Sequence, residues 1–294
     1  MYMKKIFLSA LAALFLLSGL QAQEREPSVI CVIYDVVHVS DTNNRDKPFK
    51  EEMLLIVGPT YSKYVNNANR AAVKKMMQAP PSSAPMRVAV GRPMAVVNAY
   101  GITNTELFQD PAKKKIGITA SLGKHDYLLE YDLPKINWTI TRDTRKIDAY
   151  TCQRATGEYG GRVYTAWFAP ELSFSTGPWK LSGLPGIILE AEDEKKEVQF
   201  LFKSINKDTT EHTGTERSRV TKVTEAAFKR AEEAYDKDPA GAMQAQLSFS
   251  EPIPLAYRDN SGKFTSGPEA ALLIEENKKK KESSFNNPME RRKK

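Results

Sequence analysis

Between Gly161 and Asp193 the chain reads GRVYTAWFAPELSFSTGPWKLSGLPGIILEAED. Two strand-like runs there are separated by the densest set of turn-forming residues in the sequence. Arg162 to Phe168 is β-branched and aromatic, which suits a pleated, partly buried surface. Alternation puts Val163, Thr165 and Trp167 on one face and Arg162, Tyr164, Ala166 and Phe168 on the other. Pro170 has no N–H for a ladder and ends that strand. Gly177-Pro178 and Gly183-Leu184-Pro185-Gly186 follow as breakers. Proline before glycine is the chemistry of a type II turn, so Gly186 is expected to take a positive φ. Ile187-Ile188-Leu189 has no polar alternate and reads as a central strand. A chain with such a corner must fold a sheet around it.

Other strands are expected at Val29–Val39, Met53–Val57, Tyr61–Val65, Met86–Val97, Asp126–Leu133, Ile136–Ile140, Tyr150–Ala155 and Val198–Ile205. The first three have connections too short for a parallel crossover and form an antiparallel meander. Asn66–Gln78 reads as a helical insertion, stopped by the exposed Ala79–Pro85 loop, and Thr103–Gln109 is compatible with a helix. From Thr221 to Lys237, Ala227, Phe228, Ala231, Ala234 and Tyr235 recur at helical spacing. They make an apolar stripe that should pack on the sheet. From 259 onward the chain is polar, and composition predicts disorder. The expected class is α+β: a curved, mainly antiparallel, half-barrel-like sheet with one packed helix near the C-terminus and helical insertions. The organisation is a signal peptide (1–22), one β-rich domain (23–258) and a basic polar tail (259–294).

The first residues fix the compartment. Lys4 and Lys5 precede the apolar run Ile6–Leu20, and Leu20-Gln21-Ala22 offers a small residue before Gln23, the pattern of a cleaved export signal. The run is about 15 residues, shorter than the roughly 20 of a spanning helix. No later stretch is apolar enough to span, so the mature protein is expected to be periplasmic or secreted. The signal carries two lysines and no acid, so its removal takes the net charge from +7 to +5. Much of that charge lies in the tail, and no basic-aromatic groove motif appears, so a nucleic-acid partner is not expected. Cys31 and Cys152 are the two cysteines. An oxidising compartment permits a disulfide closing a loop of about 120 residues, and two buried thiols are the alternative.

Chemistry-bearing patterns are sparse. The three histidines, His38, His125 and His212, stand far apart, with no His-x-x-x-His or Cys-x-x-Cys spacing for a metal. Leu181-Ser182-Gly183 lacks the first glycine of a nucleophile elbow. No phosphate-cradling loop is present, so neither a metal nor a cofactor is expected. Glu171 and Asp193 flank the central turns and could form an acid/base pair. Trp167 and Trp179, with Arg162 and Lys180 as nearby donors, would suit an apolar or ring-bearing ligand.

In order along the chain, Tyr150, Cys152 and Ala155 are followed by Gly161, Arg162, Ala166 and Trp167. Gly177, Pro178, Lys180 and Gly183–Ile188 come next, and Asn287-Pro288-Met289-Glu290 falls near the end. This series resembles the GLPGLI family of exported bacterial envelope proteins, specifically over Asp126–Asp193. Leu172-Ser173 stands where the family has Ile-Pro, and Ile187 where it has leucine. The resemblance implies a fold and a compartment but no reaction. The expected function is a non-enzymatic envelope binding or assembly protein whose partner is an apolar ligand or an envelope protein. A hydrolase using Glu171, Asp193 or an unrecognised histidine constellation, or a structural partner of an outer-membrane complex, are the alternatives.

Overall fold

The structure, a computed structural model, describes residues 26–68, 70–71, 95–98, 105–123, 125–207, 210–215, 220–238, 255–258, 264–284 and 286–290. The expected export signal and its expected cleavage site, the expected Ala79–Pro85 loop, most of the expected 66–78 helix and residues 86–94 lie outside these.

Twelve strands form one sheet. In chain order they are β1 (Ile30–His38), β2 (Phe49–Val57), β3 (Ser62–Asn66), β5 (Leu107–Asp110), β6 (Lys115–Leu122), β7 (His125–Asp132), β8 (Thr139–Ile147), β9 (Tyr150–Tyr159), β10 (Arg162–Ala169), β11 (Ile187–Asp193), β12 (Val198–Asn206) and β13 (Val220–Val223). β4 (Ala95–Asn98), β14 (Leu255–Arg258) and β15 (Phe264–Ser266) form a separate three-stranded sheet. Across the large sheet the order is β13-β7-β6-β5-β3-β2-β1-β12-β11-β10-β9-β8. The sheet is open, with β13 and β8 as its edges. Its ladders are antiparallel except β13 on β7, which is parallel.

Two longer helices are described, α1 (Glu225–Lys237) and α2 (Pro268–Ser284), and residues 67–68 and 70–71 are also helical. None is long and apolar enough to cross a membrane. The fold is therefore mainly β, about a large mixed sheet, and not the expected α+β arrangement with helical insertions. Three local reasons account for the difference. Leu107–Asp110, overlapping the Thr103–Gln109 segment read as compatible with a helix, is a strand whose Leu107 and Phe108 are buried between β3 and β6. Local helix propensity is weak over so few residues, and sheet pairing overrides it. β6 and the second half of β8 add strands that were not expected. The stripe on α1 does not enter the core. The helix is capped at Thr224, whose hydroxyl accepts from Ala227 N. It has no buried residue and touches the sheet through Phe228 edge-on to Tyr127 at 5.6 Å.

The meander β1-β2-β3 is antiparallel as expected. β11 lies between β10 and β12, with Ile187, Ile188 and Leu189 fully buried. Among the described residues, loops and not helices cover the main core. Ile136, Leu172, Leu181 and Leu184 are buried against Val32, Tyr34, Ala166, Phe168, Ile187 and Phe200. Ile136-Asn137-Trp138, expected as a strand, is irregular and belongs to this cover. A Cβ at Gly157 would lie 2.7 Å from the Trp138 ring, so only glycine lets the indole lie across β9. Trp138 Nε1 then donates to Ser182 O at 2.8 Å, pinning one cover loop to the other.

The proline–glycine corner packs on the sheet, but it is not a type II turn. Gly186 N donates to Leu184 O at 2.9 Å, a three-residue turn about Pro185. Gly186 has φ 157°, positive but far from the roughly +80° of a type II turn. Close approach is what demands glycine, since a Cβ there would sit 2.2 Å from Ala169 O. Cys31 and Cys152 are buried and not bridged to each other, so the disulfide alternative is not formed. Cys31 packs with Leu54, Ile56 and Val65 in a second cluster, and Cys152 belongs to the main core. β12, β11 and β10 separate their strands.

Candidate functional site

The alternation of β10 puts Arg162 on the same face as Tyr164, Ala166 and Phe168, and all four are buried. A guanidinium in that position must find partners or incur a large desolvation cost. Arg162 Nη1 donates to Asp193 Oδ2 at 2.6 Å and to Glu197 Oε2 at 3.1 Å. β11 delivers Asp193 beside Tyr164 of β10, and the tight turn to β12 delivers Glu197. Asp193 Oδ1 caps that turn by accepting from the backbone N–H groups of Glu197 and Val198, at 2.6 and 2.9 Å.

The remaining donors of Arg162 leave the sheet. Nη2 donates to Asn287 Oδ1 at 2.6 Å and Pro288 O at 2.8 Å, and Nε donates to Met289 O at 3.1 Å. Asn287 Nδ2 donates to Val39 O at 2.7 Å and Glu197 Oε2 at 3.0 Å, while its backbone N donates to Ser40 O at 3.0 Å. His38, at the end of β1, donates from Nε2 to Asn287 O at 2.7 Å, which places the proton on that nitrogen. Burial is the largest influence on His38 and holds its pKa below the ordinary imidazole value. The Asn287 bond and the charges of Asp193 and Glu197 oppose that lowering, while Arg162 adds to it.

Three residues on, Glu290 sits among a second set of donors. Its Oε1 accepts from Trp179 Nε1 at 3.1 Å and pairs with Lys180 Nζ at 2.6 Å. The Tyr159 hydroxyl also bonds this carboxylate; burial first, and then the Glu290 charge, push the phenol pKa well up. Trp179 reaches this position with φ 55°, a left-handed backbone that is uncommon for an aromatic residue. Bonds on both sides hold it there. Leu181 N donates to Pro178 O at 3.1 Å, and Gln109 Nε2 of β5 donates to Trp179 O at 2.8 Å. Meanwhile Asn286 Oδ1 accepts from Thr42 N, and its Nδ2 donates to Asp41 Oδ1.

Residues 286–290 are thus gripped throughout. Composition assigns them to a disordered tail, yet Asn287 is 3% exposed and Met289 packs against the main core. Only the Asn-Pro-x-Glu spelling marked them beforehand.

The four residues expected to line a ligand site do not share one surface. Arg162, Trp179 and Lys180 converge on the 286–290 segment. Trp167 points to the opposite face of the sheet, where the Arg145 guanidinium lies 4.3 Å from its ring and pairs with Glu190. Glu171 and Asp193 also lie apart, at opposite ends of β10, whose eight residues extend about 25 Å. Glu171 Oε1 accepts from Thr151 N at 3.2 Å. The histidines do not meet: His212 bridges Pro27 before β1 begins, and His125 starts β7 beside Tyr127. Among the described residues, no group of three or more His, Cys, Asp or Glu could hold a metal ion. His38, Glu197, Tyr159 and Asn287 complete the cluster without having been singled out for it in the sequence.

No family model matches the chain, and no curated protein does. Among solved structures the chain is similar to PNGF-II in its P21 crystal form, at 13% identity and TM-score 0.49, over 69% of this chain and 32% of that one. It is similar to the C2 form at 13% identity and TM-score 0.46, over 68% and 32%. The chain therefore spans about a third of the length of the structures it matches.

Proposed function

We propose that this is an exported, non-enzymatic binding or assembly protein of the bacterial envelope, of the kind its GLPGLI-like motifs resemble. One observation supports this reading over a hydrolase. The groups best suited to acid/base work are engaged inside the fold. Asp193 accepts from Arg162 and two backbone N–H groups, His38 donates to Asn287, and Glu171 stands at the far end of β10. A general base needs a lone pair aimed at substrate, and here the carboxylate and imidazole instead hold a segment of the chain. The sequence supports the compartment through Lys4, Lys5 and the Ile6–Leu20 run.

Mass spectrometry of small molecules and proteins retained by the protein, purified from its own periplasm, tests the reading. The expected result is a polypeptide beginning at Gln23 with a stoichiometric apolar or protein companion. A chain beginning at residue 1 contradicts export. A hydrolytic activity abolished by Asp193→Asn or Glu171→Gln contradicts the non-enzymatic role.

A further inference from the structure

We propose that the recess around Arg162 is a sequence-reading peptide site, that residues 286–290 are its resident ligand, and that the same segment of a second copy can fill it. This deepens the assembly half of the function proposed above and rests on that reading only for its biological setting.

The recess reads a peptide in two ways. Two of the Arg162 bonds go to main-chain carbonyls, those of Pro288 and Met289, and hold the peptide backbone whatever its side chains. The side-chain contacts then select. The Asn287 amide is read at both ends, its oxygen by Arg162 and its nitrogen by Val39 O and Glu197. An aspartate would put a carboxylate against the Val39 carbonyl and Glu197. Three positions on, a carboxylate is required, because indole N–H, ammonium and phenol converge there. Gly160 leaves room for it, since a Cβ there would lie 3.2 Å from Glu290 Cα. The ligand class is therefore an acidic peptide of the form Asn-Pro-x-Glu.

The receiving side is built independently of the peptide. Arg162 is aimed by Asp193 and Glu197, and Asp193 is fixed in turn by the β11–β12 turn. Trp179 is held by Gln109 of β5. Such preorganisation lowers the ordering cost of binding and is expected of a recognition site. The one peptide shown to fit is carried by every copy of this chain. Tethering keeps it at an effective concentration of about millimolar, so the recess must be vacated before occupancy from another molecule can be seen.

The test uses the full chain carrying Asn287→Ala and Glu290→Ala, and a dye-labelled, end-capped peptide with the sequence of residues 286–290. Fluorescence anisotropy is expected to show saturable binding about ten-fold or more tighter than to the unaltered chain, whose own segment competes. A peptide with alanine for the second asparagine should not bind. No saturable binding to the folded variant, or equal binding to variant and unaltered chain, overturns the proposal. If the variant does not fold alone, refolding is repeated with peptide present; recovery of soluble protein supports the site, and no recovery overturns it. For the second copy, this variant, with an intact recess, is mixed with an Arg162→Met chain, with an intact segment. Light scattering should show a 1:1 pair that excess peptide disperses. If either chain folds poorly, the two are refolded together. Two monomers, co-precipitation, or a pair indifferent to peptide contradicts exchange between copies. Each of these readouts is separate from the companion sought in the periplasmic preparation.

Discussion

Arg162 Nη2 and Asn287 Oδ1 meet at 2.6 Å across 125 positions of sequence. The guanidinium is held in the sheet by two carboxylates, and the amide comes from a segment that composition assigns to a tail. That contact makes residues 286–290 part of the domain.

Arg162→Met should destabilise the protein by about 3–5 kcal/mol, because it leaves Asp193 buried without its cation and Glu197 with only the half-exposed Arg45. Equilibrium urea unfolding measures it. Arg162→Lys should recover little, since one ammonium cannot replace a fork that bonds five acceptors. A loss below about 1 kcal/mol, the range of surface pairs, would contradict the burial.

How much of this was legible follows from distance along the chain. Strict alternation in β10 put Arg162 on one face with Tyr164, Ala166 and Phe168, without saying that this face is the buried one, and the unbroken apolar run of β11 placed that strand centrally. The Arg162 partners lie 31, 35 and 125 residues away, and no local pattern encodes such pairings. Ile136 and Trp138 alternate like a strand but serve as cover, because Gly157 makes room for an indole on β9. Proline–glycine marked the corner correctly, yet its geometry is set by the Ala169 carbonyl and not by the preference of the dipeptide.

His38 gives the fold a pH dependence of defined sign. Burial depresses its folded pKa, so the unfolded chain binds the proton more readily. The contribution is fully present above the unfolded pKa of about 6.5 and is lost as pH falls through the lower folded value. The urea midpoint should therefore drop between pH 7.5 and 5 by more in the unaltered chain than in His38→Gln. The glutamine amide can still donate toward Asn287 O but does not titrate. Identical profiles would remove His38 from the linkage.

Gly186→Ala should cost about 1–3 kcal/mol or more, because the new Cβ meets the Ala169 carbonyl at 2.2 Å, a contact of backbone with backbone. Gly267→Ala has open space around it and should cost about 1 kcal/mol for its φ of 76° alone. Thermal unfolding of the pair separates close approach from backbone conformation. Equal losses would refute the explanation.

Both cysteines should be alkylated in denaturant without reductant, and mobility should be the same on reduced and non-reduced gels. In the native protein Cys152 should react slowly, since burial both shields the thiol and pushes its pKa to about 11. No label on either cysteine would indicate a bridge.

A double-mutant cycle between Arg162→Met and Asn287→Ala, read by urea unfolding, bears most directly on the grip of the sheet upon the 286–290 segment. The two residues share a direct bond and both bond the Glu197 carboxylate, so their losses should fall short of additive by about 1–3 kcal/mol. Additivity within about 0.5 kcal/mol would mean that the segment is not held by Arg162, and the recess would lose its resident ligand.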